Sequence, residues 1–142
     1  MINLGVTLNY SNVYIIAVPT PIKKNKSANL SMINDALNQI SKFLRKDDLI
    51  LIESTSPIGI CEHAINFIYK KRKNLFKFKT PLFDIAYCPE RVLPGNLVNE
   101  LRGNDRIIGG FTEIAAKRAS KIYSKFCRGN IVIASSKEAE AT

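Results

Sequence analysis

Five short apolar, β-branched runs alternate with segments of helical period along the 142-residue chain, and three of the runs end in proline-fixed polar elbows. This alternation predicts an α/β fold, a Rossmann-like parallel sheet with helical crossovers. The runs lack period-two alternation, as strands covered on both faces do.

Taken in order, NVYIIAV at 12–18 predicts the first strand, stopped by Pro19. Ile33, Leu37, Ile40 and Leu44 repeat at helical spacing within 31–45, with Ser31 placed as the N-cap. DLILIES at 48–54 predicts the second strand. A helix over 60–71 gathers Cys61, Ala64, Ile65 and Ile68 on one face. FDIAYC at 83–88 and DRIIGG at 105–110 predict the third and fourth strands. Thr112 caps a last helix with the stripe Ala115, Ala119, Ile122, Tyr123 and Phe126, and NIVIAS at 130–135 is the fifth strand.

The length suits one domain with a real core, and 46% hydrophobic with 23% charged residues is a globular balance. No apolar run reaches the ~20 residues that span a bilayer, and the first ten residues lack the basic and apolar regions of a signal peptide. The expected compartment is the cytoplasm. Three cysteines, Cys61, Cys88 and Cys127, are widely spaced and form no CxxC pair, which indicates neither a disulfide framework nor a zinc site. The single His63 cannot assemble a metal centre and is expected on a surface or helix face. The net charge of +9 is densest in KKRKNLFKFK, 70–79, at the end of a predicted helix, where the helix dipole favours cations. A basic module for nucleic acid is the alternative, marked by salt-steep affinity, but the chain carries no motif or aromatic platform for it.

In open parallel sheets ligands gather beyond the carboxyl ends of the strands. There the sequence places AVPTP after the first strand, ESTSPIG after the second and CPERVLPG after the third. Hydroxyls and free N–H groups where a helix starts suit phosphate or ribose oxygens. Taken singly, each elbow has a plainer reading: STSPIG as an N-cap, PTP as a turn, Glu90 beside Arg91 as a surface ion pair, Cys88 as an inert core thiol. Their alignment at the ends of three consecutive strands favours a site.

AVPTP, LIESTSPIG, YCPERVLPGN and NDRIIGG, in this order and spacing, resemble the UDP-glucose/GDP-mannose dehydrogenase family, and most closely its branch acting on UDP-N-acetylmannosamine. The resemblance covers nearly the whole chain from Val13 to Thr142. It implies an NAD-dependent enzyme that oxidises a sugar C6 alcohol twice, through a cysteine thioester, to a uronic acid for surface polysaccharide synthesis. Carried over by motif, Thr20 and Thr55 would contact NAD, with Thr55 also near the reacting carbon and a water. Glu90 would be the acid/base or water-orienting carboxylate, and Arg91 and Val92 would touch the nucleotide sugar. Pro94 stands where the glucose-oxidising branch has a second glutamate, which argues against UDP-glucose. Full-length members of the family are homo-oligomers.

The family's glycine-rich pyrophosphate turn and ribose-binding acid have no counterpart before Val13. SKEAEAT, 136–142, resembles the approach to the family's central helix, with the active-site lysine and nucleophilic cysteine expected further on. The resemblance therefore implies a middle segment: residues 1–142 as a partial NAD-binding domain, without the central helix and the UDP-binding domain. Such a segment is expected to be inactive alone, weak for NAD, and to leave a sheet edge and helix faces exposed. The alternative is one piece of a split dehydrogenase completed by neighbouring polypeptides.

Overall fold

The computed structural model describes residues 11–89 and 97–142. In chain order the elements are β1 (Val13–Ile16), α1 (Ser31–Ser41), β2 (Leu49–Ile52), α2 (Ile60–Lys71), a 3-10 turn at Lys73–Leu75, β3 (Phe76–Lys77), β4 (Thr80–Pro81), β5 (Asp84–Tyr87), α3 (Leu97–Gly103), β6 (Arg106–Gly110), α4 (Glu113–Tyr123), β7 (Ile131–Ser135) and α5 (Ser136–Glu140). The five long strands form one sheet in the order β1-β2-β5-β6-β7, and β3 pairs with β4 as a separate antiparallel hairpin. All five predicted strands and the three predicted helices are present. The hairpin and the short helices α3 and α5 carry no sequence period long enough to announce them.

β1, β2 and β5 run parallel in register, Val13 beside Leu49 beside Asp84. The four residues of β2, Leu49–Ile52, are fully buried because the strand is paired on both sides and covered on both faces. Ile50 and Ile52 point into a core with Ile33 and Leu37 of α1 and Ala64 and Ile68 of α2. Leu49 and Leu51 point the other way, toward Ala119 and Tyr123 of α4. The continuous apolar runs are the direct result of this double covering.

The fourth strand departs from the parallel expectation. β6 runs antiparallel to β5, and only Gly109 and Gly110 pair with it, opposite Tyr87 and Ala86. The chain re-enters the sheet from the edge at which β5 leaves it, so no full crossover separates the two strands. Arg106, Ile107 and Ile108 therefore stand beyond the carboxyl ends of β1, β2 and β5, and β7 extends alongside them in parallel. This wing walls one side of the edge where the elbows lie, and α5 packs back against β6.

Two caps differ from expectation. Ser31 is the first residue of α1 rather than its N-cap; Leu30 holds that position without a side-chain cap, and Asn29 Oδ1 accepts the Ser31 N–H at 3.1 Å. α1 also stops at Ser41 rather than running to residue 45: the chain tightens there, the Lys42 N–H donating to the Gln39 carbonyl at 3.2 Å, and the Arg72 guanidinium donates to the carbonyls of Ser41 and Leu44. Thr112 caps α4 as expected, accepting the Ala115 N–H at 3.1 Å.

Gly110 marks a close approach: a Cβ there would fall 2.3 Å from the Thr112 carbonyl oxygen and 2.5 Å from the Ala116 nitrogen, both backbone atoms that cannot give way. Gly103 has nothing within 4 Å of the same position. Gly110→Ala is accordingly expected to destabilise the chain by about 2–3 kcal/mol in urea unfolding, while Gly103→Ala stays within about 1 kcal/mol of the parent. Equal effects of the two substitutions would contradict the packing described.

Candidate cofactor site

Because β1, β2 and β5 are parallel neighbours, their three following loops emerge side by side. Ser54 ties the first two together, its Oγ accepting the Val18 N–H at 2.8 Å while its own N–H donates to the Ile16 carbonyl at 3.2 Å. The Thr20 hydroxyl donates to the Thr55 carbonyl oxygen. The third elbow joins through the Cys88 N–H, which donates to the Ile52 carbonyl at 2.8 Å, and through Tyr87, whose hydroxyl accepts the Ser56 N–H at 3.2 Å. Prolines 19, 21 and 57 limit the backbone freedom of the first two loops. Thr55 is exposed at this edge, as a ligand-contacting hydroxyl must be.

Two of the expected site residues, Thr20 and Thr55, are thus in direct contact. Glu90, Arg91 and Val92 lie outside the described residues. Ser54 belongs to the ESTSPIG elbow placed at the site by the sequence, whereas Tyr87 reads only as part of a strand.

The reading of STSPIG as an N-cap of α2 is corrected by the structure. No hydroxyl of STSPIG caps the helix; Gly59 is the N-cap, with φ +91° that a side chain would resist. The cap is supplied from the far end of the chain. Glu140 accepts the Gly59 N–H at 2.6 Å through Oε2 and the Cys61 N–H at 3.0 Å through Oε1. A carboxylate already occupies the positive end of the helix dipole, so these N–H groups are not available to a phosphate.

A second buried polar group lies on the α4 face of the sheet. The Tyr123 hydroxyl donates to Glu53 Oε1 beside Cys88, and the Arg106 guanidinium stacks 4.9 Å from the Tyr123 ring centroid. Burial is the main cause that pushes the Cys88 thiol up to about 12, with Glu53 adding to it, while the Tyr123 hydrogen bond and Arg106 pull the other way. Burial, then Glu140, likewise raises the Cys61 thiol. Neither is a thiolate nucleophile near neutrality. Cys127 is half-buried, its thiol directed at the Asn104 carbonyl at 3.4 Å. No group of three or more His, Cys, Asp or Glu that could hold a metal occurs among the described residues, and no helix there is long and apolar enough to cross a membrane. His63 sits between helices, its Nε2 2.7 Å from Asn34 Oδ1.

A mostly parallel sheet layered with helices, with hydroxyl-bearing elbows at its carboxyl edge, defines a dinucleotide-binding domain of the dehydrogenase type. Residues 3–127 match the model of the UDP-glucose/GDP-mannose dehydrogenase family, NAD binding domain, and the chain belongs to this family. The chain is 41% identical over 137 residues to a UDP-N-acetyl-D-mannosamine dehydrogenase of Campylobacter jejuni, covering 93% of the chain and 34% of that protein. It is 38% identical over 134 residues to an NDP-N-acetyl-D-galactosaminuronic acid dehydrogenase of Ralstonia nicotianae, covering 92% of the chain and 32% of the relative. The solved UDP-D-ManNAc dehydrogenase of Pyrococcus horikoshii superposes with a TM-score of 0.85 at 36% identity, over 94% of this chain and 31% of that one. The chain therefore spans about a third of the length of the relatives it matches.

The thiol environments give a direct test. Alkylation of the folded chain with iodoacetamide at about pH 8 is expected to label Cys127 alone, and all three cysteines after denaturation. Because the folded Cys88 pKa is raised from 9.0 to about 12, its contribution to stability is complete below pH 9 and is lost as pH rises toward 12. Native labelling of Cys88 or Cys61 at a rate like that of Cys127 would contradict their burial.

Proposed function

We propose that the chain is a middle segment of a nucleotide-sugar 6-dehydrogenase acting on UDP-N-acetyl-D-mannosamine. The whole enzyme oxidises this sugar to its uronate with two NAD for surface polysaccharide synthesis, in the cytoplasm. In this reading residues 1–142 are a partial NAD-binding domain to which the central helix and UDP-binding domain are external. The observation that carries it is the junction of the three elbows, with Thr20 bonded to Thr55 beside the ends of β1 and β2. Pro94, in place of the second glutamate of the glucose-oxidising branch, supports the N-acetylated sugar.

The residues present fit the nicotinamide end of NAD. Exposed Thr55 offers a hydroxyl, and rigid backbone stands around it, whereas the start of α2 is closed to phosphate by Glu140. NAD, when bound, accepts hydride from the sugar C6. Thr20 and Thr55 would hold the cofactor in place, and Thr55 would also help order a water near the reacting carbon. Glu90 would serve as the acid/base or water-orienting carboxylate, and Arg91 and Val92 would touch the nucleotide sugar. The buried, protonated thiols of Cys61 and Cys88 are unsuited to form the thioester of the second oxidation, and in this reading the nucleophilic cysteine is external to residues 1–142.

Exposed apolar side chains at both margins of the sheet are expected of such a segment and equally of a second reading. Ile15 on β1 is 53% exposed and Val132 and Ile133 on β7 are 51% and 52% exposed, so the chain suits a split dehydrogenase that associates with complementary polypeptides. The basic run at 70–79 lies at the opposite end of α2 from the elbows, which supports a solvated helix end rather than a nucleic-acid site linked to function.

The purified chain mixed with NAD and UDP-N-acetylmannosamine is expected to form no NADH above background. Turnover by this polypeptide alone would overturn the segment reading. NADH formation only after adding polypeptides encoded by the flanking frames would establish the split enzyme.

A further inference from the structure

We propose that Glu140 is the positioning residue of this site: its carboxylate closes the start of α2 and thereby fixes the loop that presents Thr55. The functional meaning of the proposal rests on the NAD reading above; its structural content does not. Glu140 is buried at 7% exposure, and a carboxylate removed from water persists only where donors compensate it. Here the compensation is the pair of N–H groups of Gly59 and Cys61, 81 and 79 residues away in sequence.

Gly59 has no side chain to cap with, Pro57 has no N–H, and α2 receives no side-chain cap from its own segment. One end of the loop is held by Ser54 and by the Tyr87 hydroxyl on the Ser56 N–H, and Glu140 holds the other. Thr55 sits within the first anchor, between Ser54 and Ser56, and Pro57 and Ile58 join it to the Gly59 amide that Glu140 holds. α5 is also linked to α2 by Lys137 and Glu62 at 3.1 Å, but that pair is largely exposed and contributes little. The loop geometry is therefore set by the protein's own carboxylate rather than by an incoming phosphate.

Amide NMR and hydrogen exchange on the full chain separate this role from general stability. Glu140→Ala is expected to shift the Gly59 and Cys61 amide resonances and to lower exchange protection in the loop and first turn of α2 about tenfold, the size of one lost charged hydrogen bond. Leu49–Ile52 should keep their protection. Glu140→Gln, which retains one acceptor, should fall between parent and Ala, and added acetate should restore the Gly59 and Cys61 resonances of the Ala variant. Glu62→Gln should leave the loop unchanged. Loop amides of Glu140→Ala that coincide with the parent, or protection lost equally across β2 and α4, would overturn the proposal. Should the Ala variant fail to fold, the Gln variant and the parent decide: an unprotected Gly59 amide in the parent also overturns it. NAD takes no part in this measurement, so its outcome is separate from that of the NAD reading.

Discussion

The structure depends on the double burial of β2. Leu49–Ile52 pair with β1 on one side and β5 on the other, and pack into separate apolar layers above and below. Complete removal of these four side chains from water contributes about 1.5–3 kcal/mol each. It also fixes direction. With β1 and β5 held parallel to β2, the segments that follow all three strands must emerge at one edge. The candidate site is a consequence of that edge rather than of any single motif.

At that edge, polar contacts convert neighbouring loops into a defined surface. Ser54 bridges the first two strands through backbone groups that a parallel edge leaves unpaired, and Thr20 reaches across to the next loop. The β6–β7 wing, projecting past the strand ends, brings α5 back toward the same place. Chemistry-bearing residues and their supports thus come from segments far apart in sequence. Such contacts form only after the sheet has assembled.

Much of this was legible in the sequence where the signal is local. Apolar runs gave the five strands, helical spacing gave α1, α2 and α4, and Thr112 announced its cap. Thr20 and Thr55 were expected at one site, and they touch. What escaped is non-local. The antiparallel sense of β6 depends on how the chain re-enters the sheet, which no period records. Arg72, at the far end of α2, donates to carbonyls at the end of α1. Glu140 lies in an ordinary KEAEA helix segment, and its role appears only when α5 docks against the start of α2. For the same reason STSPIG, rich in capping residues, caps nothing with its side chains.

The central claim is that the edge formed by the first two elbows receives the nicotinamide cofactor. Its most direct test is amide chemical-shift mapping of the full chain during titration with NAD into the millimolar range. Fast-exchange perturbations are expected to centre on Val18, Thr20 and Ser54 to Ser56. Unmoved resonances there at the highest NAD concentration, or perturbations centred instead on the basic hairpin of β3 and β4, would contradict it.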